Sequence, residues 1–411
     1  MTSQAPAGGC PVLSGTADLV DSRLYSEGDA HAIWRELRHS NPVSWHPVGT
    51  SQGFWSITRH RDAEYVLRDH VTFTSERGTL VDLLGVDDPA GGNQMAVTDP
   101  PRHTTMREPL QRALSLKKVE AHSEVIRSQI RTLLTPLEED GEFDFAAAMI
   151  AMPMAVTGVL MGLPEADWDW LTRLTTTCIA PEDPEYQHPR GREYTLQLAH
   201  RQLFAYFQDM VRDRLRDLGD DLISVLLRTE LEGRTMSQDE AVSNCYSMLL
   251  GANVTTPHSP NFALSELIGT PALDDWIAHP ELINNGVEEA LRWASPVNHF
   301  LRYATRDVTV GDVRVREGQA LVVWLGSANR DEDVFDSPFD FDIRRRSNRH
   351  LAFGAGPHYC VGHTVARVTL RLLFEELFTR FTDFAPTGPV ERLRSNFVAG
   401  IKHQRISARR K

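Results

Sequence analysis

Apolar residues recur three and four positions apart along much of the chain, a spacing that predicts helix. Ile33, Trp34 and Leu37 share one face of a short helix over 29–38. Pro42-Val43-Ser44-Trp45 and Phe54-Trp55-Ser56-Ile57-Thr58 read instead as two strands of a small sheet, followed by a helix over 61–68. Residues 119–230 are almost wholly helical in pattern. Prolines at 181, 184 and 189 predict an interhelical loop between Thr176 and Pro189. Ser237-Gln238-Asp239-Glu240 is a capping box, and it opens a long helix through Cys245, Met248, Leu249 and Leu250. Short strands are expected over 308–315 and 320–324, with a turn at Arg316-Glu317-Gly318, and then an irregular meander from Asn329 to Ile343. Residues 1–27 lack any such pattern and read as an irregular arm. The fold class is mainly α with a small β-rich region, over a single domain spanning 1–411.

Two stretches break the pattern. In Gly251-Ala252-Asn253-Val254-Thr255-Thr256-Pro257-His258, Pro257 has no N–H for the carbonyl of Asn253 and pushes against it. The helix is predicted to open or kink there, among small and hydroxyl side chains. In the run from His350 to His363, Gly354-Ala355-Gly356-Pro357 forces a loop, and Gly362 starts a helix along Ala366, Leu370, Leu373 and Leu377. Cys360 lies at the mouth of that helix, where free N–H groups and the dipole favour an anion. Thiolate is the form of cysteine that binds metal, yet a single cysteine is as readily a small core residue.

Residues 75–98 form a turn-rich loop carrying Leu80, Val81, Leu83, Leu84, Met95 and Val97, and a loop of that length is more often functional than accidental. Asp99-Pro100-Pro101 ends it and starts a helix on which His103 and Arg107 share a face. Glu289 and Arg292 stand one helical turn apart, a pair that on a surface contributes only tenths of a kcal/mol.

Composition narrows the class. The 411 residues are 41% hydrophobic and 24% charged, the balance of a soluble globular protein. No run of about 18 apolar residues predicts a membrane span, and no basic segment followed by an apolar one predicts a signal peptide. Cys10, Cys178, Cys245 and Cys360 are scattered with no C-x-x-C pair, which argues against a zinc site of paired cysteines and against a disulfide framework. A cytoplasmic location is expected. A net charge of −13 speaks against nucleic-acid binding. Against it stand the basic clusters Arg344-Arg345-Arg346 with Arg349, Arg367 with Arg371, and Lys117-Lys118, either solvated faces or a docking patch for an acidic partner.

Order and spacing make these features jointly specific. Phe353-x-x-Gly356-x-His358-x-Cys360-x-Gly362, preceded by Glu289-x-x-Arg292 and a Gly-Ala-x-x-Thr-Thr helix, resembles the cytochrome P450 family of haem-thiolate monooxygenases, in its soluble bacterial form. The resemblance runs from about Asp29 to Ile401. It implies a P450 fold around haem b, with Cys360 as the metal ligand and Phe353, Gly354, His358, Gly362 and Ala252 against the cofactor. His103, Arg107, Arg302 and His350 match the family's partners of the two haem carboxylates. Glu289 and Arg292, with the meander around Arg330, match its buried ion-pair support.

On the oxygen side Thr255 matches the family's threonine, with Asn253 and Val254 beside it. The family usually has an acid where Val254 stands. Protons are then expected through water held by Thr255 and the Asn253 carbonyl, or from the substrate, or the reaction is atypical. His258 could join such a relay or simply pack. The implied substrate site comprises Leu80, Leu83, Leu84, Met95, Val297, Asn298, Phe397 and Val398, a mainly apolar set. The implied activity inserts one oxygen of O2 into a small lipophilic compound of secondary metabolism, with electrons from a ferredoxin-type donor and its reductase. Nucleic acid and membrane are not expected partners. Coupling, desaturation, epoxidation or peroxide-driven chemistry on the same scaffold is the alternative, and a non-catalytic haem sensor is the alternative of another class.

Overall fold

The computed structural model describes residues 18–138 and 143–411. Residues 1–17 of the expected arm fall outside them, and of its remainder Arg23–Glu27 is a short helix rather than irregular chain. The next helix, Ala30–Ser40, is capped by Asp29, whose carboxylate accepts the Ala32 N–H at 3.0 Å, and it buries Trp34 and Leu37.

The small sheet has five strands, in the order Val43–Val48, Gln52–Ile57, Ala320–Trp324, His299–Ala304 and Phe73–Thr74. Ala320–Trp324 lies parallel to Gln52–Ile57 and antiparallel to His299–Ala304. The strand His299–Ala304 escapes sequence reading because almost all of it is buried, so it has no polar alternation. The expected strand over 308–315 is a hairpin of Val308–Val310 with Val313–Val315. A C-terminal hairpin of Phe381–Arg392 with Ile401–Arg410 was likewise invisible in the pattern.

The helical body includes Phe145–Met161, Trp168–Ile179 and Arg192–Arg216, with the proline-bearing loop between the last two. Beside them runs the capped helix Gln238–Asn253. Ser237 Oγ accepts the Glu240 N–H at 3.2 Å and Glu240 accepts the Ser237 N–H at 2.7 Å. Pro257 does more than kink this helix. It stops at Asn253 and a new helix, His258–Leu267, begins after a turn closed by His258 N–H to Thr255 O at 3.2 Å. Among the described residues no helix is long and apolar enough to cross a membrane.

Glu289 and Arg292, on the helix Ile283–Ala294, are both fully buried and 2.7 Å apart, so they are no surface pair. The second cation on Glu289 is Arg345 at 3.0 Å, not Arg330. Arg330 instead donates to Trp293 O at 2.8 Å and lies 4.6 Å from that residue's ring. The proposed basic patch is correspondingly reduced. Arg345 is buried, Arg344 faces Asp275, Arg367 faces Glu288 and Arg371 faces Glu375.

The cysteine-bearing loop is seated by Gly356. Its φ is +69°, and a Cβ there would lie 2.7 Å from both Arg68 Cα and Leu67 O. Gly356→Ala is therefore expected to cost about 1–3 kcal/mol in backbone strain before any clash is counted. A chemical-denaturation midpoint equal to wild type would show that the loop is not held this way.

Candidate active site

A cavity of about 1100 Å³ opens between the broken helix, the loop before His103, the edge of the five-stranded sheet and the loop ahead of the helix His363–Arg380. Cys360, Phe353, Gly354 and Gly362 line its floor. The Cys360 N–H donates to Phe353 O at 2.8 Å. Burial pushes the Cys360 thiol up, and the Gly362 N–H, Arg107 and Arg367 oppose that rise. A metal cation at the sulfur would decide the balance for thiolate. Phe353 is held from behind by the Arg367 guanidinium, 4.5 Å from the ring centre and itself fixed by Glu288 at 2.6 and 2.8 Å.

One wall carries the cations. His103 is buried with neither ring nitrogen hydrogen-bonded. Burial, then the neighbouring His358 and Arg107, lower its pKa to about 3. The two imidazoles lie 4.3 Å apart, and His358 is steadied by Ser75 Oγ at 3.2 Å. Arg107 donates to Tyr359 O. Arg302 is buried, makes no ion pair among the described residues and donates only to Leu301 O, at 2.8 Å. Burial alone drives its pKa down to about 10. Unsatisfied buried donors of this kind lack an anionic acceptor. A cofactor with a thiolate-seeking metal and paired carboxylates fits this donor set.

His350 was expected in that wall and is not there. It does not line the cavity; its Nε2 lies 3.2 Å from Glu288, and its Nδ1 accepts the Ala352 N–H at 3.2 Å. Both nitrogens are thus taken, and His358 stands nearest His103 instead.

The opposite wall is the helix break. Ala252, Val254 and Thr255 line the cavity. Thr255 Oγ1 donates to Gly251 O at 3.1 Å, which leaves its lone pairs as acceptors. Asn253 points elsewhere. Its Nδ2 lies 3.1 Å from Met154 Sδ, and with Val254 and His258 it borders a separate void of about 10 Å³. His258 is a packing histidine. Its Nδ1 accepts the Ile401 N–H at 3.3 Å, and burial lowers its pKa to about 4.

Leu80, Leu83, Leu84, Met95, Val297 and Phe397 all line the cavity. Asn298 and Val398 do not. Asn298 donates its amide to Asn396 O at 3.1 Å, and Val398 packs in a small apolar cluster with Leu393 and Ile179. Sequence reading missed His200, Phe204 and Tyr246, which line the cavity from two helices. Tyr246 could have been found by stepping back from Val254 in fours along its own helix.

Comparison with known proteins agrees with this geometry. The family described as Cytochrome P450 matches residues 193–405, about half of the chain. Cytochrome P450 NovI of Streptomyces niveus is 32% identical over 93% of this chain and 94% of its own length. Linalool 8-monooxygenase of Pseudomonas putida is 31% identical over 95% of this chain and 98% of its own. The crystal structure of P450 OxyD, involved in the biosynthesis of vancomycin-type antibiotics, superposes with a TM-score of 0.85 at 31% identity, over 96% of this chain and all of that one. The chain belongs to the cytochrome P450 family of haem-iron monooxygenases.

Proposed function

We propose that the protein, acting as one domain, is a haem b monooxygenase for a small lipophilic metabolite, with Cys360 as the iron ligand and a ferredoxin-type electron donor. The observation that carries this reading is the pairing of Cys360 on the cavity floor with the unpartnered ring nitrogens of buried His103 and a buried Arg302 guanidinium that meets only Leu301 O. When bound, haem supplies the iron at which O2 is activated, and a thiolate ligand favours O–O cleavage. His103, Arg107, Arg302 and His358 are the groups suited to hold its carboxylates. Anaerobic reduction under carbon monoxide is expected to give the red-shifted Soret band of thiolate ligation. An unshifted band would overturn the assignment of Cys360.

Thr255 is assigned to proton handling. With its hydrogen committed to Gly251 O, its oxygen accepts from a water in the cavity and orients that water's second proton inward. Asn253 does not line this cavity, so its carbonyl, deprived of its helical donor by Pro257, is not an acceptor for such water. Thr255→Ala is expected to lower product formed per reductant consumed by about 100-fold, at the low end of proton-transfer effects, with Thr255→Ser keeping most of the wild-type coupling. Equal coupling in all three proteins would remove Thr255 from the mechanism.

Val254 favours a second reading. It is an apolar, 4%-exposed residue where an acid is usual, so a reaction needing fewer delivered protons, such as coupling or desaturation, suits this site. Val254→Asp would then change the product distribution rather than the coupling efficiency.

For the electron donor, Lys117, Lys118, Arg346 and Arg349 are the exposed cations near Cys360 in sequence or packing that form no ion pair among the described residues. Lys117 and Lys118 lie on the helix Leu116–Glu120, packed against the helix His363–Arg380. They suit an acidic partner better than the paired Arg344, Arg367 and Arg371.

A further inference from the structure

His200 is a polar group that nothing in the chemistry above employs. It sits half-buried on the inner face of the helix Arg192–Arg216, lines the cavity, and makes no hydrogen bond among the described residues. Its ring meets that of Tyr246 edge-on, with centroids 5.7 Å apart and planes at 88°. Phe204, one turn further along the same helix, stacks on Tyr246 at 4.8 Å and 20°. Burial lowers the His200 pKa, so at neutral pH the ring is an uncharged group with one donor and one acceptor to offer.

The position of this cluster relative to the helix break matters as much as its chemistry. Tyr246, Leu250, Gly251, Val254 and Thr255 all line the same cavity, so one stripe of the broken helix forms a continuous wall. At Gly251 a Cβ would meet nothing within 4 Å, which leaves the wall open at its middle. At about 1.5 Å per residue, the stretch from Tyr246 to Asn253 spans roughly 10 Å. Apart from Ser247 beside Tyr246, the intermediate positions that line the cavity, Met248, Leu250, Gly251 and Ala252, and Leu196 on the facing helix offer apolar surface. The cations at this end of the cavity are already matched: Arg192 faces Asp82 and Glu182, and Arg394 faces Glu27.

From this arrangement we infer that His200, backed by Tyr246 and Phe204, anchors the polar end of an elongated, uncharged substrate. That substrate carries a hydroxyl, carbonyl or amide at one end and an apolar body of at least about 10 Å running along the helix toward Thr255, so that the oxidised carbon lies at the far end. The inference rests on the monooxygenase reading and adds to it a substrate class and a site of attack remote from the polar group. An anionic substrate is disfavoured, since His200 is neutral and Glu193 lines the same cavity from the same helix. His200 is a specificity determinant and takes no part in bond making.

The test is a titration of the haem-loaded enzyme with 4-n-alkylphenols and the matching n-alkylbenzenes, read as the spin-state shift. Each phenol is expected to bind about five- to tenfold tighter than its hydrocarbon, the effect of one neutral hydrogen bond. The preference is expected to vanish in His200→Phe, which keeps the aromatic volume, and to persist in His200→Gln, which keeps a donor and an acceptor. Equal affinity of phenol and hydrocarbon in the wild type would overturn the anchor without recourse to any variant, as would a preference undiminished in His200→Phe. The carbon monoxide complex separates the two readings. A missing thiolate band sinks the monooxygenase assignment, whereas a normal band with no phenol preference sinks the anchor alone.

Discussion

Cys360→Ser is expected to fold and yet to be almost inert. The substitution keeps the volume of the side chain and leaves the N–H that binds Phe353 O untouched, so the loop retains its seat on Gly356. What is lost is the sulfur. Removing an outer-shell partner of a metal ligand already costs about 10–100-fold, so with Cys360 as the proposed ligand its loss is expected to lower turnover by more than about 100-fold. The reduced carbon monoxide complex should lose its red-shifted Soret band at the same time. A serine variant with normal turnover and a normal band would mean that the iron is held elsewhere.

The second large effect is on the fold. Glu289 accepts from both Arg292 and Arg345, from Asn348 Nδ2 at 3.1 Å and from the Asp342 N–H at 2.9 Å. Arg292 in turn donates to the carbonyls of Asn329 and Pro338, each at 2.9 Å. These groups have been taken out of water and are satisfied only by one another. Arg292→Leu removes one of the two cations on the Glu289 carboxylate and leaves the Asn329 and Pro338 carbonyls without their donor, and breaking a buried pair in this way costs about 3–5 kcal/mol. Set against a total stability of about 5–15 kcal/mol, that is a large share. The variant is expected to accumulate as unfolded or cofactor-free protein, with its denaturation midpoint far below wild type. Arg292→Lys should fall almost as far, because one ammonium cannot reproduce the fork that spans a carboxylate and two carbonyls. A wild-type midpoint for either variant would show that the cluster contributes no stability.

How much of this was legible in advance depended on whether the signal was local. The capping box at Ser237, the helix stop at Pro257 and the loop delivering Cys360 each follow from a few adjacent residues, and each is where local chemistry puts it. His299–Ala304 was missed because burial on both faces erases the alternation that marks a strand. The strand Phe381–Arg392 was missed for the opposite reason: most of it is exposed, and its pairing with Ile401–Arg410 shifts register repeatedly. Around the cavity, the expected residues close to the cysteine line it whereas His350 does not, since only the fold reveals that Glu288 claims it. His200 and Tyr246 lie on different helices and acquire meaning only by meeting.

The contact between Gly356 and the backbone of Leu67 and Arg68 also fixes when, during synthesis, the site can come into being. About 290 residues separate these positions, which at roughly 5–20 residues per second is on the order of 15–60 s of translation. Throughout that interval the strand Gln52–Ile57 also waits for Ala320–Trp324, its parallel neighbour. The nascent chain therefore carries an open sheet edge until residues 320–324 are available, and an unfinished cavity until the loop around Gly356 is. The proposed cofactor site thus cannot be complete before the segment bearing Gly356 and Cys360 has been made.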